Sequence, residues 1–353
     1  MDAWKAACQS DEGNASFVIP KGEFMVGQVE FGGPCHDQVS PKVEIRGKLK
    51  SLINDGDAKY WIKFYGLNRL SVSGGGELDG QGAQAWDDNK CEDTKSCKLS
   101  ATSLRLHQVN NAEVYDLKLT NSKAFHMNLH KCDSIDIHDL EINAPGTSKN
   151  TDGIHLSITH NITIRNSVIG TGDDCISVGQ GSRGVTIYNI TCGPGHGISV
   201  GSLGKYADEM DVVDLVVKNC TIKGTTNGLR IKTWQGSLAS QARNFTFEDV
   251  KMINVANPII IDQKYCPGED DYCSSKPSKV KINDVKFSRI SGTSRTRLAV
   301  NILCSKDVPC SNIELDNIHL SCSSDDMDCK TTTASCTHAQ GKVFGVQIPP
   351  PCL

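Results

Sequence analysis

One pattern of apolar and polar positions recurs along the chain. An apolar residue, any residue, a second apolar residue, any residue, then Asn or Asp, with further apolar positions after it, makes up "IDIHDLEI" from Ile135, "ITIRNSVI" from Ile162 and "VTIYNITC" from Val185. It returns as "LVVKNCTI" from Leu215, "FTFEDVKM" from Phe245, "VKINDVKF" from Val280 and "IELDNIHL" from Ile313. Alternation with period two predicts strands. The fifth position is Asp139, Asn166, Asn189, Asn219, Asp249, Asp284 and Asn317 in turn. These residue types tolerate left-handed backbone angles, so each predicts a sharp corner between two short strands. No run of helical period separates the units, which return every 20 to 35 residues. The prediction is an all-β chain wound as a right-handed parallel β-helix, a solenoid. Earlier coils are expected at "VEIRG" (Val43) and "LSVSG" (Leu70), and a short N-terminal capping helix at "DAWKAAC". A single domain over 1–353 is expected, with the Cys-rich stretch 322–353 as its C-terminal cap. The rival, an antiparallel sandwich, would need two-residue turn signals that are scarce here.

Each unit carries a second strand: "GIHLS" at Gly153, "CISVG" at Cys175, "GISVG" at Gly197, "GLRIK" at Gly228 and "IIIDQ" at Ile259. Aligning their apolar pairs places Asp152, Asp174, His196 and Asn227 in one column on four successive coils. Asp152, Asp174 and His196 are spaced evenly, 22 residues apart. Coils stack at the strand spacing of about 4.8 Å, so three steps span roughly 15 Å. Asp173 lies one place before Asp174, and Arg230 and Lys232 lie at alternate positions of the fourth strand, on one face. Asp and Asn also fill turns for structural reasons. Three carboxylates this close repel when all are ionised, however, and such crowding is usually retained for chemistry.

That chemistry is narrowed by exclusion. Two carboxylates flanking a bond can cleave a glycoside, one donating a proton and the other activating water. Adjacent cations suit an acidic sugar. Clustered aspartates also bind metals, but His196, Arg230 and Lys232 would repel a divalent ion, so no metal and no cofactor are expected. No Ser sits in a G-x-S-x-G elbow, which disfavours a serine hydrolase. A net charge of −4 argues against a nucleic-acid partner, and no apolar run is long enough to span a membrane. The expected state is a monomer. Sixteen cysteines, with close pairs at Cys91/Cys97, Cys266/Cys273 and Cys304/Cys310, accompany sequons at Asn14, Asn161, Asn189, Asn219 and Asn244. Together they favour a secreted glycoprotein.

Asn150-Thr151-Asp152, Gly172-Asp173-Asp174, Gly195-His196-Gly197 and Arg230-Ile231-Lys232 resemble, in order and spacing, the four motifs of polygalacturonases, the pectin-hydrolysing glycoside hydrolases. The resemblance runs from "AWKAAC" to the Cys-rich tail. "GPGHGISVGSLG" and "PIIIDQKYCP" are most similar to plant pollen-type exopolygalacturonases, some of whose relatives are pollen allergens. The resemblance implies an inverting, exo-acting hydrolase of α-1,4 bonds in de-esterified pectin, secreted to the cell wall. It implies Asp173 as general acid, Asp152 and Asp174 as holders and activators of water, and His196 as their tuner. Arg230 and Lys232 would bind the galacturonate carboxylate, with Asn150 and Tyr265 also binding substrate. A short carboxylate separation is associated with retention; the implied inversion requires Asp173 to point away from Asp174. The alternatives are endo action, a catalytically weak pectin-binding or allergen-like homologue, and a calcium-dependent pectate lyase on the same fold.

Two further expectations accompany the resemblance. Bonds are expected at Cys8–Cys35, Cys91–Cys97, Cys175–Cys192, Cys266–Cys273 and Cys304–Cys310, with two more in the tail, leaving Cys132 and Cys220 as buried thiols. The chain begins "MDAWKAACQS" with no signal peptide and no Asp/Gly-rich strand before the helix, where family members carry one. The first coil is therefore expected to be incomplete, with an exposed sheet edge.

Overall fold

The computed structural model describes residues 1–11, 15–54, 56, 58–89, 99–267, 274–323 and 329–353. Two sheets run its length, one of 15 strands and one of 11. Their ladders are parallel, each coil pairing with the next. This is the solenoid that the repeat predicts.

The corner residues behave as their chemistry requires. Asp139, Asn166, Asn189, Asn219, Asp249, Asp284 and Asn317 all adopt φ between 50° and 56°. One expectation needs correction. The corner does not separate two short strands but bends a single long one, such as His160–Gly170 or Ser240–Val255. Arg165 pairs with Tyr188 and Ser167 with Ile190, with Asn166 between the two paired positions. One left-handed residue turns the chain and, on this coil, gives up only its own ladder position. Its side chain then bonds along the stack, as Asn189 Nδ2 does to Asn166 Oδ1 at 2.8 Å.

Inward positions fill the coil. Ile154, Ile176, Ile198, Leu229 and Ile259 stack as one buried row, and Phe247 lies flat on Phe287 at 5.0 Å on the next coil. At one end the helix Asp2–Cys8 buries Trp4 against Phe31 (5.0 Å) and Phe17 (5.8 Å), and Trp4 Nε1 donates to Gly32 O. Val18, Phe24 and Met25 of the first coil are exposed. At the other end Thr333–Thr337 and Ala339–Ile348 are the terminal strands of the two sheets.

Disulfides join Cys8–Cys35, Cys175–Cys192, Cys304–Cys310, Cys322–Cys329 and Cys336–Cys352, the last two being the tail bonds. Cys132 and Cys220 are buried thiols. The expected Cys91–Cys97 and Cys266–Cys273 bonds involve positions outside the described residues, as does the sequon at Asn14. No described helix is long and apolar enough to cross a membrane.

Candidate active site

The register Ile154–Ile176–Ile198–Leu229 carries the turns before these strands with it. Asp152, Asp174, His196 and Asn227 therefore stand in one column, locked by Gly153 N–H to Asp174 O (2.9 Å) and Cys175 N–H to Gly197 O (2.8 Å). Coils pass so closely here that side chains must be absent at some positions. A Cβ on Gly197 (φ +83°) would lie 2.2 Å from Asn227 O, and one on Gly172 would lie 2.0 Å from Ser148 O. The glycines beside His196 and Asp173 thus follow from stacking distance.

The two neighbouring aspartates diverge. Asp174 is buried: Oδ1 accepts from Arg230 Nη2 (2.6 Å) and Ser199 Oγ (2.7 Å), and Oδ2 accepts from Lys232 Nζ (2.9 Å). Burial opposes its charge, but the charges of Arg230 and Lys232 outweigh burial and hold its pKa well below the usual range. Burial likewise opposes both cations, yet Asp174 keeps each of their pKa values raised. Asp173 instead accepts at Oδ1 from the Asp174 backbone N–H (2.8 Å) and pairs there with His196 Nδ1 (2.9 Å). Among the described residues its Oδ2 has only a long contact with Asn150 Nδ2, 3.4 Å. Burial disfavours the imidazolium of His196, and the hydrogen bond and charge of Asp173 overcome that, raising its pKa.

Asp152 has a different environment. Its Oδ2 accepts from Ser177 Oγ at 2.6 Å. Burial, and then the negative charge of Asp173, push its pKa up. So one carboxylate of the column is pinned as an anion by two cations, while the other is drawn toward protonation. Carboxylates separated in this way can take separate roles.

The eight residues read from the sequence form one contiguous patch. Asn150 (φ 57°) reaches Asp173, and its Oδ1 accepts from Asn89. Tyr265 lies on the coil beyond Lys232, whose Nζ is 5.3 Å from the ring centre, and Trp234 packs edge-on to it at 5.6 Å. Burial raises the Tyr265 pKa, so the phenol stays neutral. Four other participants were not anticipated. Ser177 and Ser199 bond Asp152 and Asp174, and His155 bonds Ser177. His126, fully buried and held neutral by burial with a pKa near 4, accepts the Ser122 N–H at Nε2 and donates from Nδ1 to Asp152 O at 3.2 Å. The register puts His155, Ser177, Ser199 and Arg230 in one column, and the same strand alignment that gives the acids their column could have found them.

Asp173, Asp174 and His196 each offer a ligand atom, all within 4.8 Å of one another. The donor set does not suit a divalent ion, because both Asp174 oxygens already accept from cationic groups. The arrangement suits proton donation on one side and water activation on the other. Farther along the same outward face, Lys63 and Arg105 continue the column of His155 toward the N-terminal end. Arg105 Nε is buried without a partner among the described residues.

The family model described as "Glycosyl hydrolases family 28" matches residues 8–339. An exopolygalacturonase from Platanus acerifolia is 43% identical over 99% of this chain and 92% of its own length. An exopolygalacturonase from Zea mays is 44% identical over 98% of this chain and 83% of its own length. Among solved structures, an endo-xylogalacturonan hydrolase from Aspergillus tubingensis matches with a TM-score of 0.82 at 25% identity, covering 95% of this chain and 92% of that one.

Proposed function

The chain belongs to glycosyl hydrolase family 28, and from that premise we propose that it is a secreted exopolygalacturonase acting on de-esterified pectin with inversion. The observation that carries the reading is the division of the carboxylates. Asp173 Oδ1 is occupied by two donors, so its acid proton resides on Oδ2 and passes to the leaving oxygen. Asp174, held as an anion, is a weak base and positions the water. Asp152, with raised proton affinity and no protein partner on Oδ1 among the described residues, takes the water's proton as it attacks the sugar. A base of higher pKa is the better proton acceptor. Arg230, Lys232 and Tyr265 face the galacturonate carboxylate, and Lys63 and Arg105 extend a cationic face that suits a polyanion. Exo action rests on the exopolygalacturonase relatives that align over nearly the whole chain. Five disulfides among the described residues and exposed sequons at Asn161, Asn189, Asn219 and Asn244 support a glycoprotein of the extracellular wall.

Sizing the products from polygalacturonate over time tests the reading. Monomer from the first turnover is expected. Early oligomers would mean endo action, and an unsaturated, ultraviolet-absorbing product abolished by calcium chelation would mean a lyase.

The pH profile of kcat/KM is expected to be bell-shaped. Asp152 must be ionised to act as base, and its pKa is raised above 3.8, so the acid limb lies above pH 3.8. The second limb is the loss of the proton that the acid must give, and His196, whose proton affinity the bond and charge of Asp173 raise, titrates together with it. The limbs belong to the coupled cluster, not to single residues. A rate that keeps rising into the alkaline range would refute the assignment.

A further inference from the structure

We propose that His155 is a positioning residue for the hydrolytic base: acting through Ser177, it holds Asp152 ionised and aimed, as Arg230 does for Asp174 through Ser199. The proposal rests on the reading of Asp152 as base. Its warrant is an aspartate–serine contact that repeats on successive coils, each serine bonded in turn to a nitrogen of its own column. His155, Ser177, Ser199 and Arg230 occupy one register column on four successive coils. Asp174 accepts from Ser199 Oγ at 2.7 Å, and Ser199 Oγ accepts from Arg230 Nε at 2.9 Å. Asp152 accepts from Ser177 Oγ at 2.6 Å, and Ser177 Oγ meets His155 Nδ1 at 2.7 Å. Each aspartate thus bonds the serine of the next coil; Ser199 takes its second bond from Arg230 one coil further on, and Ser177 from His155 on the coil of Asp152 itself.

The proton count sets the direction of the second chain. A serine hydroxyl carries one hydrogen. While Asp152 is ionised it can only accept, so the Ser177 hydrogen points to Asp152 and His155 Nδ1 must donate. The proton taken from water enters at Oδ1, so Oδ2 goes on accepting from Ser177 and the donor order is kept. Arginine never releases its proton, so the Asp174 chain also keeps one donor order.

The surroundings leave His155 free to respond. Its ring stacks on Phe125 at 4.6 Å, its Nδ1 is 3.9 Å from Asp152 Oδ2, and its Nε2 has no protein partner among the described residues. It flanks Gly179, where an added Cβ would lie 3.6 Å from Nε2. The coil below presents His130, held neutral by burial with a pKa near 4, with Arg105 and His107 beyond it. Around Asp152, the charges of Asp173 and Asp174 favour its protonation, and His126 is neutral. Against the charges of Asp173 and Asp174, His155 acts on Asp152 in the opposite sense, favouring its ionised form, and Ser177 carries its hydrogen bond to Oδ2.

The test is the acid limb of the kcat/KM profile on polygalacturonate. His155→Ala is expected to move that limb up by about one pH unit, a tenfold loss at a fixed pH on the limb, with the alkaline limb in place. Ser177→Ala should shift the same limb, and the double variant should shift it no further than the larger single. His155→Asn, whose amide nitrogen can donate to Ser177 where Nδ1 did, should recover most of the rate on the plateau. An unmoved acid limb in both alanine variants, additive shifts in the double variant, or an Asn variant no better than Ala would each overturn the proposal. Asp152→Asn separates the two levels. If it is inactive while both alanine variants leave the limb unmoved, only the role of His155 falls. If it keeps most of its activity, the reading of Asp152 as base falls first.

Discussion

Asp173→Asn is expected to lower kcat on polygalacturonate by about 10²–10⁴-fold, the range of general acid catalysis, with the fold unchanged. The amide keeps an oxygen that can accept from the Asp174 N–H and from His196, the two bonds that hold the native side chain. What it lacks is a proton to give. The glycosidic oxygen must then leave without that proton, which is the hardest step in cleaving this bond. Circular dichroism and the melting temperature should match wild type, since Asp173 sits among like charges and its removal relieves Asp152. The measurement is kcat against a folding control. Activity within a few-fold of wild type, in a folded protein, would remove Asp173 from the acid's role.

The second large effect is expected at Lys232. Lys232→Met should lower kcat/KM on polygalacturonate by roughly 10–100-fold, the equivalent of a lost charge-assisted hydrogen bond of about 1.5–3 kcal/mol. The geometry divides that loss in two. Lys232 Nζ donates to Asp174 Oδ2, so its removal leaves a buried carboxylate with one cation in place of two. That part weakens cleavage of every substrate alike. The other part is reading the sugar's own carboxylate, which exists only where the galacturonate is free. Methyl-esterified pectin lacks that anion, so it suffers only the first part, and the preference for polygalacturonate over esterified pectin should narrow. Comparing kcat/KM on both substrates, in wild type and variant, separates the two. An unchanged ratio would restrict Lys232 to holding Asp174 and would leave the preference for an acidic sugar to other groups.

The crowding inferred from the spacing is real, and its relief is what spacing could not reveal. Aligning apolar pairs places Asp152, Asp174 and His196 in one column because strand side chains alternate with period two and coils stack at a fixed step. Both facts are local and repetitive, and the register confirms the column. Arg230 and Lys232, expected to face the substrate, reach back across two coils to Asp174 as well. Their share of the work between neutralising an aspartate and reading a ligand depends on side-chain reach and burial, which no spacing encodes.

The sequence by itself determined the solenoid, its winding unit, its left-handed corners and the column of acids. These follow from a period repeated many times, so that each unit corroborates the next. Only the tertiary structure decided that the corner bends one strand without ending it, that Asp173 and Asp174 turn to different partners, and that Ser177, Ser199, His155 and His126 belong to the site. A serine or histidine on a strand has no signature in sequence. Its meaning comes from the neighbour on the next coil, and in a protein interior a carboxylate's charge state is set by the few groups within hydrogen-bonding distance.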